Sequence, residues 1–249
     1  MDKKKLKLSV VLAVFNEEQN IRACLDAVRD VASEIIVVDG GSTDGTADVA
    51  KKAGAKVYRT DNPPIFHINK QKAVELARGE WILQLDADEI VGQALKGEIL
   101  NVIEHGTDAG YYIPRRNYFL GDWLRKGGQY PDYVIRLFRN GKGSFPQKSV
   151  HEQITIDGLV GYLDNPIDHY SYASVAQYWK KADAYIKLTA SQKHIPAFSY
   201  VFLKPVLTFF SLFLRHKGFL DGWRGFLYAL FSAMHFPKAY FLWRQRHLL

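Results

Sequence analysis

Three short, almost uninterrupted apolar runs, each ending on polar or acidic residues, restrict this chain more than any other feature. Residues 6–15 (Leu-Lys-Leu-Ser-Val-Val-Leu-Ala-Val-Phe) lead into Asn16-Glu17-Glu18, residues 34–38 lead into Asp39, and residues 81–85 lead into Asp86-Ala87-Asp88-Glu89. Runs of this length, rich in β-branched residues and bounded by turn formers, read as strands buried on both faces. Between them lie helical patterns. Ile21, Cys24, Leu25 and Val28 share the spacing of one helix face, with a start at Asn16-Glu17-Glu18 that places acids in the first turn. A second helix is expected over 46–53, capped by Asp44, and a third near 67–78, stopped by Gly79. With a further strand at 56–59, strands and helices alternate about every 25 residues, the pattern of βαβ units and a helix-covered parallel sheet.

Ligands bind such sheets outside the carboxyl ends of the strands. Here those ends are Phe15-Asn16-Glu17, the stretch from Asp39 to Asp44, and the stretch from Asp86 to Glu89. Side chains alternate along an extended chain, so Asp86 and Asp88 point the same way. Two converging carboxylates suit a divalent cation and the phosphates it carries. The plainer alternative is an acidic, solvated turn.

After about residue 105 the pattern shifts. Residues 110–120 and 132–157 are β-like and rich in Tyr, Arg and Gly, with turns at Gly127-Gly128 and Asn140-Gly141, and residues 174–192 read as an amphipathic helix. From Lys193 onward eight Lys and Arg face a single acid, Asp221, so the net charge of +7 belongs to this tail and residues 1–192 are neutral. The tail is crowded with Phe, Leu, Trp and Tyr. Its uncharged stretches are shorter than the ~18–20 residues that cross a bilayer, and Pro205 and Gly218 divide it into short helices. Apolar helices punctuated by Lys, Arg and Trp match a segment lying on an anionic membrane surface. The start carries no apolar signal region. One cysteine, Cys24, rules out an intrachain disulfide framework, fits a reducing compartment and reads as a small buried group. A cytoplasmic protein, peripheral on the inner face of the cytoplasmic membrane, is the expectation.

The motifs Leu8-Ser-Val-Val-Leu-Ala-Val-Phe-Asn-Glu-Glu18, Val38-Asp-Gly-Gly-Ser-Thr-Asp44 and Leu85-Asp-Ala-Asp-Glu89, in this order and spacing, resemble the inverting family 2 glycosyltransferases with the GT-A fold. Arg136-Leu-Phe-Arg139, Val150-His-Glu152 and Leu220-Asp-Gly-Trp-Arg-Gly225 are similar to a subgroup that includes lipopolysaccharide-core glucosyltransferases. The resemblance implies a mixed, Rossmann-like α/β sheet flanked by helices. A GT-A domain would span 1–192, with a donor half over 6–92 and an acceptor and lid half over 93–192, followed by the membrane-associating helical tail, 193–249.

The resemblance also implies roles. Ala13, Phe15 and Glu17 line the base pocket of a UDP-sugar, Asp39 contacts uracil or ribose, and Asp44 and Lys70 lie near the nucleotide. Asp86 faces the ribose, and Asp88 holds Mg²⁺ or Mn²⁺ on the diphosphate. Phe15 stands where tyrosine is common and Ala13 where proline or threonine is common, so stacking is kept and a hydroxyl contact is lost. Inversion needs a carboxylate to take the acceptor proton: Glu152 is the first choice and Asp132 the second. His169 is a third metal ligand or a structural histidine. Arg115, Arg116, Arg136 and Arg139 meet phosphates or solvate the lid. The implied acceptor is a lipid-linked saccharide such as lipopolysaccharide core, with a hexose, glucose first, as the group moved.

Other classes fit less well. A haloacid-dehalogenase-type phosphatase also uses Asp-x-Asp, but its nucleophile ends the first strand, whereas here the pair follows the fourth and Ile90 occupies the place of a Thr or Val. A dinucleotide oxidoreductase needs Gly-x-Gly-x-x-Gly after the first strand. A membrane-surface binding protein without catalysis would not require three acidic strand ends. No nucleic-acid-binding module is recognisable.

Overall fold

The computed structural model describes residues 7–63, 65–146, 153–191 and 194–247. In chain order the strands and α-helices are β1 (Leu8–Val14), α1 (Ile21–Val28), β2 (Glu34–Asp39), α2 (Thr46–Lys52), β3 (Lys56–Arg59), α3 (His67–Glu75), β4 (Trp81–Leu85), β5 (Glu89–Val91) and α4 (Gln93–His105). They continue as β6 (Gly110–Phe119), β7 (Asp122–Trp123), β8 (Asp132–Arg139), β9 (Gly143–Ser144), β10 (Thr155–Ile156), β11 (Val160–Tyr162), β12 (Ile167–Tyr172), α5 (Val175–Thr189), α6 (Lys204–Phe210) and α7 (Gly222–His247). The chain divides into two compact units, one of Met1–Arg115 with Tyr133–His169, the other of Arg116–Asp132 with Tyr170–Leu249.

In the first unit β3, β2, β1 and β4 pair in parallel, in that order. Their registers set Val14 beside Asp39, Asp39 beside Arg59, and Leu12 beside Leu85, so the carboxyl ends finish on one edge. β8 then pairs antiparallel with β4, and the order continues β6, β12, β5, which makes the sheet mixed. β5 follows β4 after only three residues yet lies four strands away in the order. Flat strands at a spacing of about 4.8 Å would put them roughly 19 Å apart, while the four steps from Leu85 to Glu89 reach at most about 14 Å. The sheet therefore curls, and the curl turns the acidic link between β4 and β5 across the sheet's end.

Period-2 alternation covers both faces of the sheet. Val10, Leu12, Val14, Ile35, Val37, Trp81, Leu83 and Leu85 enter one buried cluster, with Ile21, Cys24, Leu25 and Val28 of α1 and Leu95, Ile99 and Val102 of α4. Val11, Ile36, Val38 and Ile82 face the other way, into a cluster with Ala73 and Val74 of α3 and with Phe138, Phe145 and Ile154. Each such side chain contributes roughly 1.5–3 kcal/mol on burial, which is why near-continuous apolarity, rather than alternation with polar residues, marks these strands.

One expected helix start moves, and one cap changes. α1 begins at Ile21, because Asn16 has a positive φ of 55° and the chain turns through Glu17 to Asn20 first. Gly45, not Asp44, takes the cap position of α2. In the second unit the tail is less broken than Pro205 and Gly218 suggest. A helical stretch alternates wide π-type turns, Ser199–Leu203 and Ser211–Arg215, with α6, and after a short turn at Gly218–Asp221 comes α7, 26 residues long with Pro237 inside it. Among the described residues no helix is long and apolar enough to cross a membrane.

A buried polar knot ties the amino ends of the parallel strands. The Ser9 hydroxyl and the Arg78 N–H both donate to Glu34 Oε1 at 2.8 Å, and Lys56 Nζ reaches Glu34 Oε2 at 2.9 Å. Burial raises the Glu34 carboxyl, but Lys56 and these hydrogen bonds outweigh it and hold the group below the ordinary glutamate range. Its stabilising contribution is therefore complete above the unfolded value, about 4.3, and is lost as pH falls through the lower folded value. Glu34→Gln is expected to flatten the acid side of a plot of melting temperature against pH. An unchanged acid limb, measured by thermal unfolding from pH 7 to pH 3, would show that other carboxylates dominate acid unfolding.

Candidate active site

The β1–α1 and β2–α2 loops are laced together at the carboxyl edge. The Asn16 N–H donates to Ser42 Oγ at 2.9 Å, the Thr43 N–H to Asn16 Oδ1 at 2.9 Å, the Glu17 N–H to Thr46 Oγ1 at 2.8 Å, and the Gly45 N–H to Glu18 Oε2 at 3.0 Å. Asn16 suits this junction because its short amide tolerates the left-handed backbone while its oxygen accepts a remote N–H. Ala13 and Glu17 are partly buried here and Phe15 is exposed, with its ring available for stacking.

Asp39 is fully buried. The Ser42 N–H reaches its Oδ1 at 3.1 Å and Arg59 Nε its Oδ2 at 3.3 Å, so both oxygens are fixed in direction. Asp44 stays at the surface, accepting from the Thr46 N–H at 3.0 Å, from the Thr46 hydroxyl and from the Glu18 N–H at 3.3 Å. Partial burial pushes Asp44 up, but these donors outweigh it and keep the carboxyl below the ordinary range.

At the end of β4 the three acids separate in role. Glu89 is fully buried: Arg136 Nη2 reaches its Oε1 at 2.7 Å, Arg115 Nη1 lies 3.5 Å from the same oxygen, and the Asp86 N–H donates to Oε2 at 3.0 Å. Asp86 meets Lys70 Nζ at 2.5 Å and Arg136 Nη2 at 2.6 Å. Arg136 also donates to Gln84 Oε1. Burial raises the Asp86 carboxyl, but Arg136 first and Lys70 second outweigh it and hold it well below the usual range. Asp88 is partly buried, with His169 Nε2 3.5 Å from its Oδ1.

Several roles left open by the sequence change. Arg136 neither solvates a lid nor stands exposed: it is a buried cross-link between the strand-end acids. Lys70 is buried against Asp86 rather than lying on a solvated helix face. Arg139 stacks its guanidinium 4.5 Å from the Trp81 ring centroid and donates to the Gly106 carbonyl at 2.6 Å. Arg116, in the second unit, lies 5.8 Å from the Trp123 ring centroid. Glu89, Gln84 and Arg115 were missed as members of one network. The available signal was Arg136 itself, an arginine within Val134-Ile135-Arg136-Leu137-Phe138, which a buried strand accepts only opposite a carboxylate.

Cys24 is buried beneath the acids, with its thiol 3.5 Å from the Asp86 carbonyl. Burial, then Glu89, Asp86 and Asp88, raise its pKa, so it stays a thiol and serves as packing. Of the two candidate bases, Glu152 lies outside the described residues. Asp132 belongs to the second unit, where Asn117 Nδ2 donates to it at 3.0 Å.

An acid-lined edge of a parallel sheet that continues into a curled mixed sheet has counterparts among known proteins. The structure of S. aureus TarS residues 1–349, in complex with UDP, superposes with a TM-score of 0.50 at 17% identity, covering 87% of this chain and 75% of that one, and shares its GT-A fold. In sequence, the lipopolysaccharide core biosynthesis glycosyltransferase LpsC of Rhizobium meliloti (strain 1021) is 30% identical, over 98% of this chain and 94% of that protein. An uncharacterized glycosyltransferase of Rickettsia typhi (strain ATCC VR-144 / Wilmington) is 28% identical over 91% of this chain and 83% of its own length. Residues 9–170 match glycosyl transferase family 2, a span that takes in all three acidic strand ends, Arg136 and His169. With the fold, the site and the match in agreement over that span, the chain belongs to glycosyl transferase family 2 and is a glycosyltransferase.

Proposed function

We propose that the protein is a metal-dependent inverting hexosyltransferase that moves a hexose, glucose first, from a UDP-sugar to a lipid-linked saccharide of the lipopolysaccharide-core type. It would work at the inner face of the cytoplasmic membrane. The observation that carries this reading is the meeting of fixed, chemically distinct acids at one sheet edge: buried Asp39, Asp86 held by Lys70 and Arg136, and Asp88 beside His169. The likeness to LpsC supports the acceptor class, and the fold shared with UDP-bound TarS supports the donor class.

Asp39 would bind uracil or ribose with the lone pairs that Ser42 and Arg59 leave open, between Ala13, Phe15 and Glu17 on one side and Asp44 on the other. Lys70 and Arg136 hold the Asp86 carboxylate toward the ribose, and Lys70 keeps two further N–H donors for phosphate oxygens. Asp88 and His169 would hold the cation. A carboxylate oxygen and an imidazole nitrogen 3.5 Å apart, both largely buried, form a donor pair that fits Mn²⁺ better than Mg²⁺, which favours oxygen alone. When bound, the cation neutralises charge on the departing diphosphate. In the transfer step the acceptor hydroxyl oxygen bonds to the anomeric carbon and the bond from that carbon to the diphosphate oxygen breaks. UDP leaves with the electron pair, and the hydroxyl proton passes to a carboxylate, Glu152 first and Asp132 second.

A donor screen tests the reading. Slow release of the nucleoside diphosphate with Mn²⁺ present should be fastest from UDP-glucose and negligible from GDP-sugars. Turnover of GDP-sugars alone would overturn the donor assignment. Glu152→Gln and Asp132→Asn separate the bases, because only the true base should lower kcat by about 10²-fold or more while leaving UDP binding intact.

A further inference from the structure

The motif Leu220-Asp-Gly-Trp-Arg-Gly225 has no part in the donor site, yet it is built with unusual closeness inside the second unit. Both Asp221 oxygens are taken by backbone: the Arg125 N–H at 3.0 Å and the Lys126 N–H at 2.8 Å. The Gly127 N–H donates to the His216 carbonyl at 2.9 Å. A Cβ on Gly225 would lie 1.9 Å from the Gly218 oxygen, and one on Gly218 would lie 2.7 Å from the Leu212 oxygen, so neither position admits a side chain. The loop 124–128 and the turn 216–225 therefore form one fixed piece.

What that piece presents outward is amphipathic. Arg125, Lys126, Arg215 and Lys217 are exposed on it. The acids nearby are engaged: Asp221 by the two amides, Asp122 by Arg125 at 3.5 Å. Beside these cations Phe219, Leu220 and Trp223 are exposed, and the helical stretch preceding them adds Phe202, Leu207 and Phe210, with no residue of α6 buried. An exposed apolar cluster rimmed by four cations against two acids, Asp122 and Asp221, is complementary to a bilayer interface, where acyl chains lie just beneath anionic phosphates.

We infer that the loop 124–128 and the turn 216–223 together form a membrane-docking wedge: Phe219, Leu220 and Trp223 enter the interface while Arg125, Lys126 and Lys217 bind phosphates of anionic phospholipids. The inference rests on the reading of a membrane-borne acceptor, and it adds a segment, 124–128, that lies far outside the basic tail. Because the contacts to Asp221 use backbone N–H groups, changing the side chains at 125 and 126 leaves the wedge assembled.

Flotation of the full chain with vesicles tests it. Binding is expected to vesicles containing phosphatidylglycerol, to fall with added salt, and to be weak on phosphatidylcholine alone. Arg125→Glu with Lys126→Glu and Lys217→Glu should lower binding by tenfold or more, as should Leu220→Ser with Trp223→Ser, whereas Leu159→Ser, an exposed apolar residue of the first unit, should change nothing. Equal binding to both vesicle types, or binding untouched by both sets of substitutions, would overturn the proposal. So would full competition by soluble glycerol phosphate, which would mark a free-phosphate site, or self-association abolished by Leu220→Ser with Trp223→Ser in a chain that ignores vesicles. UDP release measured without vesicles keeps the two readings apart. Its loss in the wild type would remove the transferase reading, while its presence without vesicle binding would remove only the wedge.

Discussion

Asp88→Ala is expected to lower kcat for sugar transfer by roughly 10²–10³-fold, the usual cost of removing one element of leaving-group stabilisation. Isothermal titration should show that Mn²⁺ no longer strengthens UDP binding, while binding of UDP alone, carried by Asp39 and the Phe15 loop, survives. The melting temperature should fall only modestly, because Asp88, unlike Glu89, is not fully buried and its removal leaves no carboxylate stranded in the core. His169→Ala should weaken Mn²⁺ selectively and shift preference toward Mg²⁺, since the nitrogen donor is lost and the carboxylate oxygen remains. Metal-dependent UDP binding in Asp88→Ala equal to that of the wild type would sink the assignment.

Arg136→Met should have the largest effect on stability. It leaves Glu89, fully buried, with Arg115 at 3.5 Å in place of Arg136 at 2.7 Å, and it removes one of the two cations on Asp86. Breaking a buried pair by deleting one partner costs about 3–5 kcal/mol, which for a chain of this size corresponds to a fall of roughly 6–20 °C in melting temperature. Adding Glu89→Gln should recover part of that loss, because the stranded charge is then gone. The surface pair Lys142–Asp157, 2.8 Å apart but well exposed on both sides, provides the contrast, and Lys142→Met should leave thermal unfolding almost unchanged. A small effect of Arg136→Met would mean that water reaches Glu89 and that the network is looser than its distances imply.

These two substitutions separate residues that the sequence presents as one acidic cluster. Asp86, Asp88 and Glu89 lie within four positions, yet one is a held contact, one a candidate metal ligand and one a buried anchor. Strand alternation does not govern them, because β4 ends at Leu85 and residues 86–88 form a turn, in which Ala87 enters the apolar cluster. It says nothing about which acid a cation from β8 or α3 will reach.

Much of the donor-side architecture was legible because it is local. The period of the apolar residues and the polar residues at the strand ends are properties of a few neighbouring positions, whereas α3 ends at Glu75, ahead of the glycine expected to stop it. Burial on both faces of a parallel sheet requires continuous apolar runs, and polar groups can survive only where those runs end. The sequence by itself therefore determined the order of β1 to β4, the two-faced core and the edge on which the acids collect. Tertiary structure alone decided the rest. Arg136 lies 50 residues from Asp86, His169 lies 81 from Asp88, and Asp221 lies 96 from Arg125. Partners that distant meet only because a curled sheet or a pair of glycines packed in contact brings them together, and that depends on the shape of the whole unit rather than on any spacing along the chain.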